Sequence, residues 1–265
     1  MPISAAAAPA SGPLAITVSG GVMTVGLNRP AKRNALDDAT VLALEDCFAT
    51  LPKGIAAVVI HGVGDHFCAG LDLSELTERD VTDGMLHSRM WHRTFDRIQF
   101  GPVPVVAALK GAVIGGGLEL AAACHVRVAE TGTFYALPEG QRGIFVGGGG
   151  SVRLPRLVGV ARMADMMLTG RTYSAEEGVP LGFSQYLAGA GEGFDLAQKL
   201  AAKMAGNAPM TNFAVIQALP RIADSDPQAG LLMESLMAAV AQGDGEAKTR
   251  MRDFLAKKAG KVRPG

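Results

Sequence analysis

Over the first 150 or so residues, strand-like and helix-like patterns of hydrophobic residues alternate. Two runs rich in β-branched residues flank Ser19-Gly20-Gly21 and predict a β-hairpin over 14–27. The apolar runs 55–60 and 103–109 show no polar alternation, which is typical of strands covered on both faces. A further short strand is predicted at 126–129.

Helical spacing of apolar residues predicts two helices in this first part and a helical remainder after about residue 151. The segments are 41–48, 85–100, 161–168, 174–181, 194–205, 210–219, 226–241 and 246–258. No Pro/Ser-rich linker separates the two parts, so one α/β core with a helical C-terminal extension fits better than two independent domains. We expect a disordered tail over 1–12, the core over 13–200 and the extension over 201–265.

Composition narrows the class of protein. Lys and Arg number 25, as do Asp and Glu, and a net charge of zero argues against a dedicated nucleic-acid binder. No uncharged apolar run reaches the ~18 residues of a membrane helix, and no Lys or Arg precedes Arg29, which argues against a signal or transit peptide. Three cysteines without CxxC spacing and five histidines without HExxH spacing support neither a disulfide framework nor a metal site. We therefore expect a cytoplasmic protein without a bound metal.

Glycine is in excess, at 34 of 265 residues where a usual share is about 7%. Several glycines lie in three segments with unusual polar residues: 66–73 (HFCAGLDL), 111–120 (GAVIGGGLEL) and 137–151, which contains LPEG and GGGGS. Glycines at a strand-to-helix junction let a ligand approach the backbone and leave amides free as donors. A phosphate site is one interpretation, but the pattern GxxxxGK[ST] is absent. The other is an oxyanion hole, which stabilises negative charge on a carbonyl oxygen.

Two glutamates stand beside these glycines. Glu119 lies among residues that should be buried, where an ionised carboxylate is costly unless it is hydrogen-bonded or functional. Its alternatives are to turn to the surface or to complement the helix dipole. Glu139 follows Pro138, and its alternative is an ordinary acid in the first turn of a helix. Together, the two acids, 20 residues apart and each beside a glycine-rich turn, resemble a paired-carboxylate site.

Five motifs in this order resemble the crotonase (enoyl-CoA hydratase/isomerase) superfamily. They are LNRPAKRNAL at 27–36, FCAGLDL at 67–73, GAVIGGGLELA at 111–121, LPEG at 137–140 and LTGRTYSAEEGVPLGF at 168–183. Any one motif is moderately specific, but five in order at matching spacing are strongly specific. The likeness runs from about residue 16 to residue 258, nearly the whole chain.

The resemblance implies a fold, an assembly and a substrate. The fold is α/β, a crotonase-like spiral of ββα units with a helical C-terminal trimerisation region. Family members are usually homotrimers or dimers of trimers, and they bind acyl-CoA. Two backbone N–H groups, which align here with Leu71 and Gly116, hold the thioester oxygen. Loss of one such donor typically costs about 3–4 kcal/mol of barrier.

The two acids indicate the reaction that the resemblance implies. Family hydratases carry two glutamates, which align with Glu119 and Glu139, whereas isomerases and other branches often keep only one. Water would add across the double bond of a trans-2-enoyl-CoA to give a 3-hydroxyacyl-CoA. Glu119 would be the base toward water, and Glu139 would deliver the proton to C2. No metal or redox cofactor is implied, because coenzyme A enters as part of the substrate.

Residues around the substrate are carried over in the same way. The resemblance places CoA and the acyl group against Lys32, Arg33, Ala35, Ala69, Gly70, Asp72, Leu73, Leu76, Gly115 and Lys257. The alternative for each Lys and Arg is a solvated surface charge, and Asp72 is expected to brace its loop rather than to react. Met85, Leu86 and Met90 are expected either in an apolar acyl pocket or in the core.

Three other functions stay open as alternatives. Departures from a plain fatty-acid hydratase at His125, Gln141, Arg142 and Val146 leave room for enoyl-CoA isomerisation. They also leave room for hydration followed by cleavage of an aryl (hydroxycinnamoyl) CoA ester, although that branch carries tyrosine where Leu76 stands and lacks the first glutamate. The last alternative is a non-catalytic acyl-CoA-binding homologue, since fold does not fix function. The intact acid pair argues against it.

Overall fold

The computed structural model describes residues 12–75 and 80–256. Residues 1–11 of the tail expected over 1–12 lie outside these ranges, as do two expected contact residues, Leu76 and Lys257. The chain divides into two compact units, one up to Ala205 and one from Gly206 onward. The expected boundary at residue 200 falls inside a helix that continues to Ala205.

Nine strands are present in the part of the chain that the structure describes. They are β1 (Leu14–Ser19), β2 (Val22–Leu27), β3 (Ala57–Gly62), β4 (Val105–Leu109), β5 (Ala112–Ile114), β6 (Val126–Glu130), β7 (Phe134–Ala136), β8 (Tyr173–Ser174) and β9 (Tyr186–Ala188). Six of them form the main sheet in the order β1-β2-β3-β4-β6-β9. The predicted hairpin β1–β2 is antiparallel, and the other pairs of this sheet are parallel. Segments 66–73 and 111–120 therefore leave the same edge of the sheet, after β3 and β4.

Among the described residues, seven helices belong to the first unit and four to the second. They are α1 (Asp38–Ala49), α2 (Val81–Gln99), α3 (Gly116–Ala123), α4 (Gly150–Val158), α5 (Val160–Thr169), α6 (Ala175–Leu181), α7 (Gly193–Ala205), α8 (Pro209–Phe213), α9 (Leu219–Asp224), α10 (Pro227–Gly243) and α11 (Gly245–Leu255). The single helix predicted over 210–219 is divided, because a π-helical turn, Ala214–Ala218, separates α8 from α9. Pro220 opens α9 and has no amide hydrogen to continue the ladder.

Successive residues of the central strands face two different layers. On β3, Val58 and Ile60 lie in the larger core, to which α1, α2 and α3 contribute. Ala57 and Val59 lie in a smaller core with residues of α7. The continuous apolar run therefore reflects a strand covered on both faces, as predicted.

Four short strands could not be predicted from the hydrophobic pattern. These strands, β5, β7, β8 and β9, have only two or three residues each, whereas alternation of apolar and polar residues is recognisable only over about four to eight residues. The prediction that the chain is only helical after residue 151 is wrong at β8 and β9. The second sheet, in the order β5-β7-β8, has a structural role, since β5 leads into α3 and fixes where that helix begins.

A buried asparagine ties the loop after β2 to the loop after β3. Asn34 adopts the left-handed conformation (φ 56°), which asparagine tolerates better than most residues. Its side-chain amide donates to the carbonyls of Val63 (2.9 Å) and His66 (2.7 Å), and its Oδ1 accepts from the Arg29 amide (2.9 Å). Asn34 therefore fixes the position at which segment 66–73 begins.

We predict that Asn34→Ala lowers the free energy of unfolding by about 2–3 kcal/mol, because buried polar groups lose their partners. Asn34→Gly removes the same hydrogen bonds but suits the positive φ, so it should be about 1 kcal/mol more stable than the alanine variant. Urea denaturation followed by circular dichroism measures both values. A glycine variant as stable as the natural chain would contradict the anchoring role.

Candidate active site

Segment 66–73 is bound on one side to β5 and on the other to Leu36 through isolated β-bridges. The Leu36 amide donates to the Gly70 carbonyl (2.8 Å), and the Asp72 amide donates to the Leu36 carbonyl (2.8 Å). The bridge to Leu36 thus uses the Gly70 carbonyl and the Asp72 amide, which flank Leu71 in the chain. Because this is the parallel pattern, the amide of Leu71 itself points away from Leu36.

The amide of Leu71 lies beside the first residue of α3. Gly116 opens that helix, so its N–H has no acceptor within the helix. A Cβ placed on Gly116 would lie 3.5 Å from the Leu71 amide nitrogen and 2.7 Å from Trp91 Cζ3, so only glycine allows this close approach. The two amides that the resemblance aligns with oxyanion donors are therefore neighbours.

Asp72 braces the loop that carries Leu71. It is buried, and its carboxylate accepts hydrogen bonds from the Ser74 hydroxyl (2.7 Å), the Ser74 amide (3.1 Å) and the Arg29 guanidinium (2.8 Å). The bonds from Ser74, together with the bond from Arg29, lower the pKa of Asp72 to about 2. Asp72 is therefore an ionised anchor at neutral pH.

The residues expected near CoA share the loops at this edge of the sheet. Lys32 and Arg33 are exposed, and the Arg33 carbonyl accepts from the Ala69 amide (3.0 Å). The Ala35 amide donates to the Lys32 carbonyl (3.0 Å), and Ala35 is buried, whereas Leu73 is about half exposed. The structure therefore brings the 32–35 and 69–73 segments together.

Glu119 is buried one turn inside α3. Only 3% of its surface is exposed, so the alternative that it turns to the surface is wrong. Its Oε1 accepts hydrogen bonds from the amides of Gly148 (2.8 Å) and Gly150 (2.7 Å). Burial raises the pKa of Glu119 to about 7; the charge of Glu139 acts in the same direction, and the two amides oppose it. A carboxyl group with this pKa can gain or lose a proton near neutral pH, which suits acid–base catalysis.

Glu139 approaches the same site from the loop after β7. It precedes a 3-10 turn, Gly140–Arg142, so it does lie at the start of a helical turn, yet it is buried. A Cβ placed on Gly115 would lie 2.5 Å from Glu139 Oε1, so glycine leaves room for the carboxyl group. Oε2 is buried without a hydrogen-bond partner among the described residues. Burial raises the pKa of Glu139 above its ordinary value.

Both acids line one cavity of about 460 Å³. Leu71 and Gly116 are part of its wall, and loop 144–148 closes another side. The face of α2 that borders the cavity consists of Gly84, His87, Ser88 and Trp91. Amide donors, paired acids and a ligand-sized space therefore occur at one place.

The expectation of methionine and leucine side chains in this pocket is wrong for two of them. Met85 and Leu86 are each more than half exposed and lie on other faces of α2. Met90 packs partly buried against the core, which was its alternative. The helical period places every third or fourth residue on the cavity wall, and that set begins at Gly84.

A buried arginine holds the glycine-rich loop in place. Its guanidinium donates to Gly148 O (2.9 Å), Gln99 Oε1 (2.6 Å) and Asp96 Oδ1 (2.6 Å). This residue, Arg153, fixes the carbonyl side of the loop whose amides bind Glu119. The sequence carries no local signal for it, since its partners on α2 lie 54 and 57 residues away.

His125 has a structural role. The Val105 amide donates to its Nδ1 (2.9 Å), and its Nε2 donates to the Gln99 carbonyl (2.9 Å). Both ring nitrogens are therefore occupied in the neutral form. Burial lowers the pKa of His125, which favours the same form.

Residues 12–75 and 80–256 contain no group of three His, Cys, Asp or Glu side chains that could hold a metal ion. No helix in those ranges has the length and apolar character to cross a membrane.

The fold is that of the crotonase superfamily. A family model described as enoyl-CoA hydratase/isomerase matches residues 17–261, and the chain belongs to that family.

Individual relatives specify the class of enzyme further. The short-chain-enoyl-CoA hydratase of Clostridium acetobutylicum is 30% identical over 242 residues, which cover 90% of this chain and 93% of that protein. The 2,3-dehydroadipyl-CoA hydratase of Escherichia coli (strain K12) is 33% identical over 239 residues, which cover 89% and 93%. A crystal structure of a Rhodopseudomonas palustris CGA009 protein, provisionally described as an enoyl-CoA hydratase, has a TM-score of 0.91 and 68% identity, and the match covers 94% of this chain and 97% of that one. The chain is thus an enzyme of the enoyl-CoA hydratase class.

We predict that Gly116→Ala lowers kcat/KM for enoyl-CoA hydration about 100-fold, because the added methyl group displaces Trp91 and occupies space beside the Leu71 amide. Gly243→Ala is the matched control, since a Cβ there meets nothing within 4 Å. Loss of absorbance of the conjugated thioester measures the rate, and circular dichroism reports folding. Full activity of a folded Gly116→Ala enzyme would argue against this placement of the donors.

Proposed function

We propose that this enzyme adds water across the double bond of a trans-2-enoyl-CoA to give a 3-hydroxyacyl-CoA. Glu119 and Glu139 are the acid pair, and the Leu71 and Gly116 amides bind the thioester oxygen. The observation that carries the proposal is the presence of all four groups on one cavity. Relatives named as enoyl-CoA hydratases support the reaction class.

The amide pair acts on the thioester carbonyl. As the water oxygen bonds to C3, negative charge moves onto the thioester oxygen and an enolate-like state forms. Two N–H donors stabilise that charged oxygen more strongly than they stabilise the neutral carbonyl of the substrate. One donor, Gly116, is the first amide of α3, where the helix dipole is positive.

The acid pair moves two protons. Glu119 accepts a proton from water through Oε2, because its Oε1 is held by the glycine amides. Glu139 gives a proton to C2 from Oε2, the oxygen without a partner among the described residues. The pair therefore starts with one proton on Glu139 and ends with one on Glu119. Burial favours the protonated form of both acids. The Gly148 and Gly150 amides favour the ionised form of Glu119, whereas Glu139 Oε2 has no such donor among the described residues.

CoA binding is assigned to the loops beside Leu71. Lys32 and Arg33 are exposed cations there and suit the phosphates of CoA. Lys257 is a further expected contact outside the described residues. The reaction adds one water and transfers no electrons, so the proposed step needs no cofactor besides the CoA that the substrate carries.

We also propose that the chain works as a homotrimer or a dimer of trimers. In the second unit, α10 has four large apolar side chains that are about half exposed or more in the single chain: Leu231, Leu232, Leu236 and Val240. An apolar stripe of this kind indicates an interface. Light scattering after size-exclusion chromatography should give three or six times the chain mass of 27.4 kDa; a monomer would contradict the assembly.

Product mass separates hydration from its alternatives. Hydration of a panel of enoyl-CoAs adds the mass of one water, and isomerisation leaves the mass unchanged. Hydration followed by cleavage of an aryl enoyl-CoA yields acetyl-CoA. The proposal predicts the first result. Acyl-CoA binding without any product would instead identify a non-catalytic homologue.

We predict that Glu119→Gln and Glu139→Gln each lower kcat about 10²–10⁴-fold, because proton transfer to or from a positioned acid is lost. The glutamine oxygen at position 119 can still accept from Gly148 and Gly150, so that variant should unfold at a temperature no lower than the natural chain. Calorimetry with a 3-hydroxyacyl-CoA should show retained binding for both. More than a tenth of the natural activity in either variant would overturn the acid pair.

We predict a bell-shaped pH profile, because the proposed reaction needs one proton on the acid pair. Glu119 must be ionised to take a proton from water and Glu139 must be protonated, and burial raises the pKa of both groups, that of Glu119 to about 7. kcat/KM should therefore fall at low pH, where both acids are protonated, and again at high pH, where both are ionised, by about tenfold for each pH unit beyond either limb. A profile that is flat between pH 5 and pH 8 would contradict the role of Glu119 as the base.

A further inference from the structure

The α2 wall of the cavity is more polar than an alkyl chain requires. Gly84, His87, Ser88 and Trp91 lie on one face of this helix and border the cavity. Ligand pockets are lined mostly by apolar side chains, and their few polar groups set orientation and specificity. Ser88 and His87 both form hydrogen bonds within the protein, whereas Trp91 Nε1 is buried without a partner among the described residues.

Ser88 is already engaged. Its hydroxyl donates to the Gly147 carbonyl (2.6 Å) and lies 3.3 Å from His92 Nε2. This contact ties the glycine-rich loop to α2. Ser88 therefore positions the loop and is not available as the main contact for an acyl group.

His87 is engaged at one ring nitrogen. Its Nε2 lies 2.7 Å from Asp38 Oδ1, and because a carboxylate only accepts, Nε2 carries the hydrogen. This bond fixes the tautomer and the orientation of the ring. Within the described part of the chain, Nδ1 has no hydrogen-bond partner.

The position of His87 relates it to the reacting atoms. Trp91 packs against Gly116, since a Cβ on Gly116 would lie 2.7 Å from the Trp91 ring. Along the axis of α2, Trp91 is therefore the residue beside the proposed oxyanion donors. His87 is four residues earlier on α2, which is about 6 Å along the helix axis. His87 and the two acids line the same cavity, so an acyl chain that runs from the thioester along this wall toward the start of α2 would meet the imidazole.

The chemistry of Nδ1 selects the group that it can bind. In the neutral ring Nδ1 accepts a hydrogen bond, and in the protonated ring it donates one. A hydroxyl group can pair with both forms, and a carboxylate can pair with the protonated form. A methyl group pairs with neither and would remove water from Nδ1 without replacing it.

We infer that the acyl group of the substrate carries a hydrogen-bonding oxygen, as a hydroxyl or a carboxylate, and that His87 Nδ1 binds it. The inference rests on the proposed function, because it assigns the acyl-binding wall of the same cavity. His87 is then a specificity-determining residue that takes no part in the chemistry, and Asp38 orients it.

Calorimetry with three saturated acyl-CoAs of equal chain length tests the inference without turnover. The acyl chains end in a methyl, a hydroxyl or a carboxylate group. Comparison of the last two ligands shows which oxygen-bearing group the protein prefers. In the natural protein we expect at least one oxygen-bearing ligand to bind about 10-fold more tightly than the methyl ligand. In His87→Leu that preference should fall below about twofold, whereas His87→Gln, which can still form a hydrogen bond, should retain part of it.

Circular dichroism shows whether the variants are folded. The inference is overturned if the natural protein binds the methyl ligand as tightly as the others, or if folded His87→Leu keeps the full preference. A lack of hydration with every enoyl-CoA would overturn the proposed function but leave this comparison of binding valid. Failure to bind any of the three ligands would overturn both.

Discussion

The hydrogen bonds from the Gly148 and Gly150 amides to Glu119 Oε1 are the interaction on which the site depends. Burial alone would keep this carboxyl group protonated or exclude it from the interior. The two amides supply fixed dipoles in place of water, so that an ionised carboxylate can exist beside the substrate. They also leave its second oxygen for chemistry. Arg153 and Ser88 secure the other side of the same loop, by binding the carbonyls of Gly148 and Gly147.

Helix α3 supplies both kinds of group that the proposed mechanism uses, an amide donor and a carboxyl group. Gly116 and Glu119 are three residues apart, so the first amide and the acid project toward the same side of the helix. The small sheet fixes where the helix starts, because β5 runs directly into it. The bridge between Leu36 and Leu71 brings the second donor alongside. An amide pair and an acid thus border one cavity through local geometry that needs glycine at the helix start.

The sequence predicted the parts of this arrangement that are local. Long apolar runs marked β3 and β4, the Ser19-Gly20-Gly21 turn marked the hairpin, and glycines next to buried acids marked the site. The strands of two or three residues were not predicted, because alternation of apolar and polar residues is recognisable only over about four to eight residues. Contacts such as Glu119 with Gly150, His87 with Asp38 and Arg153 with Asp96 join positions 31 to 57 residues apart. No periodicity encodes them, since the folded topology alone brings them together.

In the proposed mechanism, water adds at C3 while Glu139 protonates C2. The isotopic composition of the product tests this mechanism most directly, with crotonyl-CoA as substrate in deuterium oxide enriched in oxygen-18. We expect a 3-hydroxyacyl-CoA with one oxygen-18 at C3 and one carbon-bound deuterium at C2. A product that contains deuterium but no oxygen-18, or one whose C2 carries no deuterium, would contradict it.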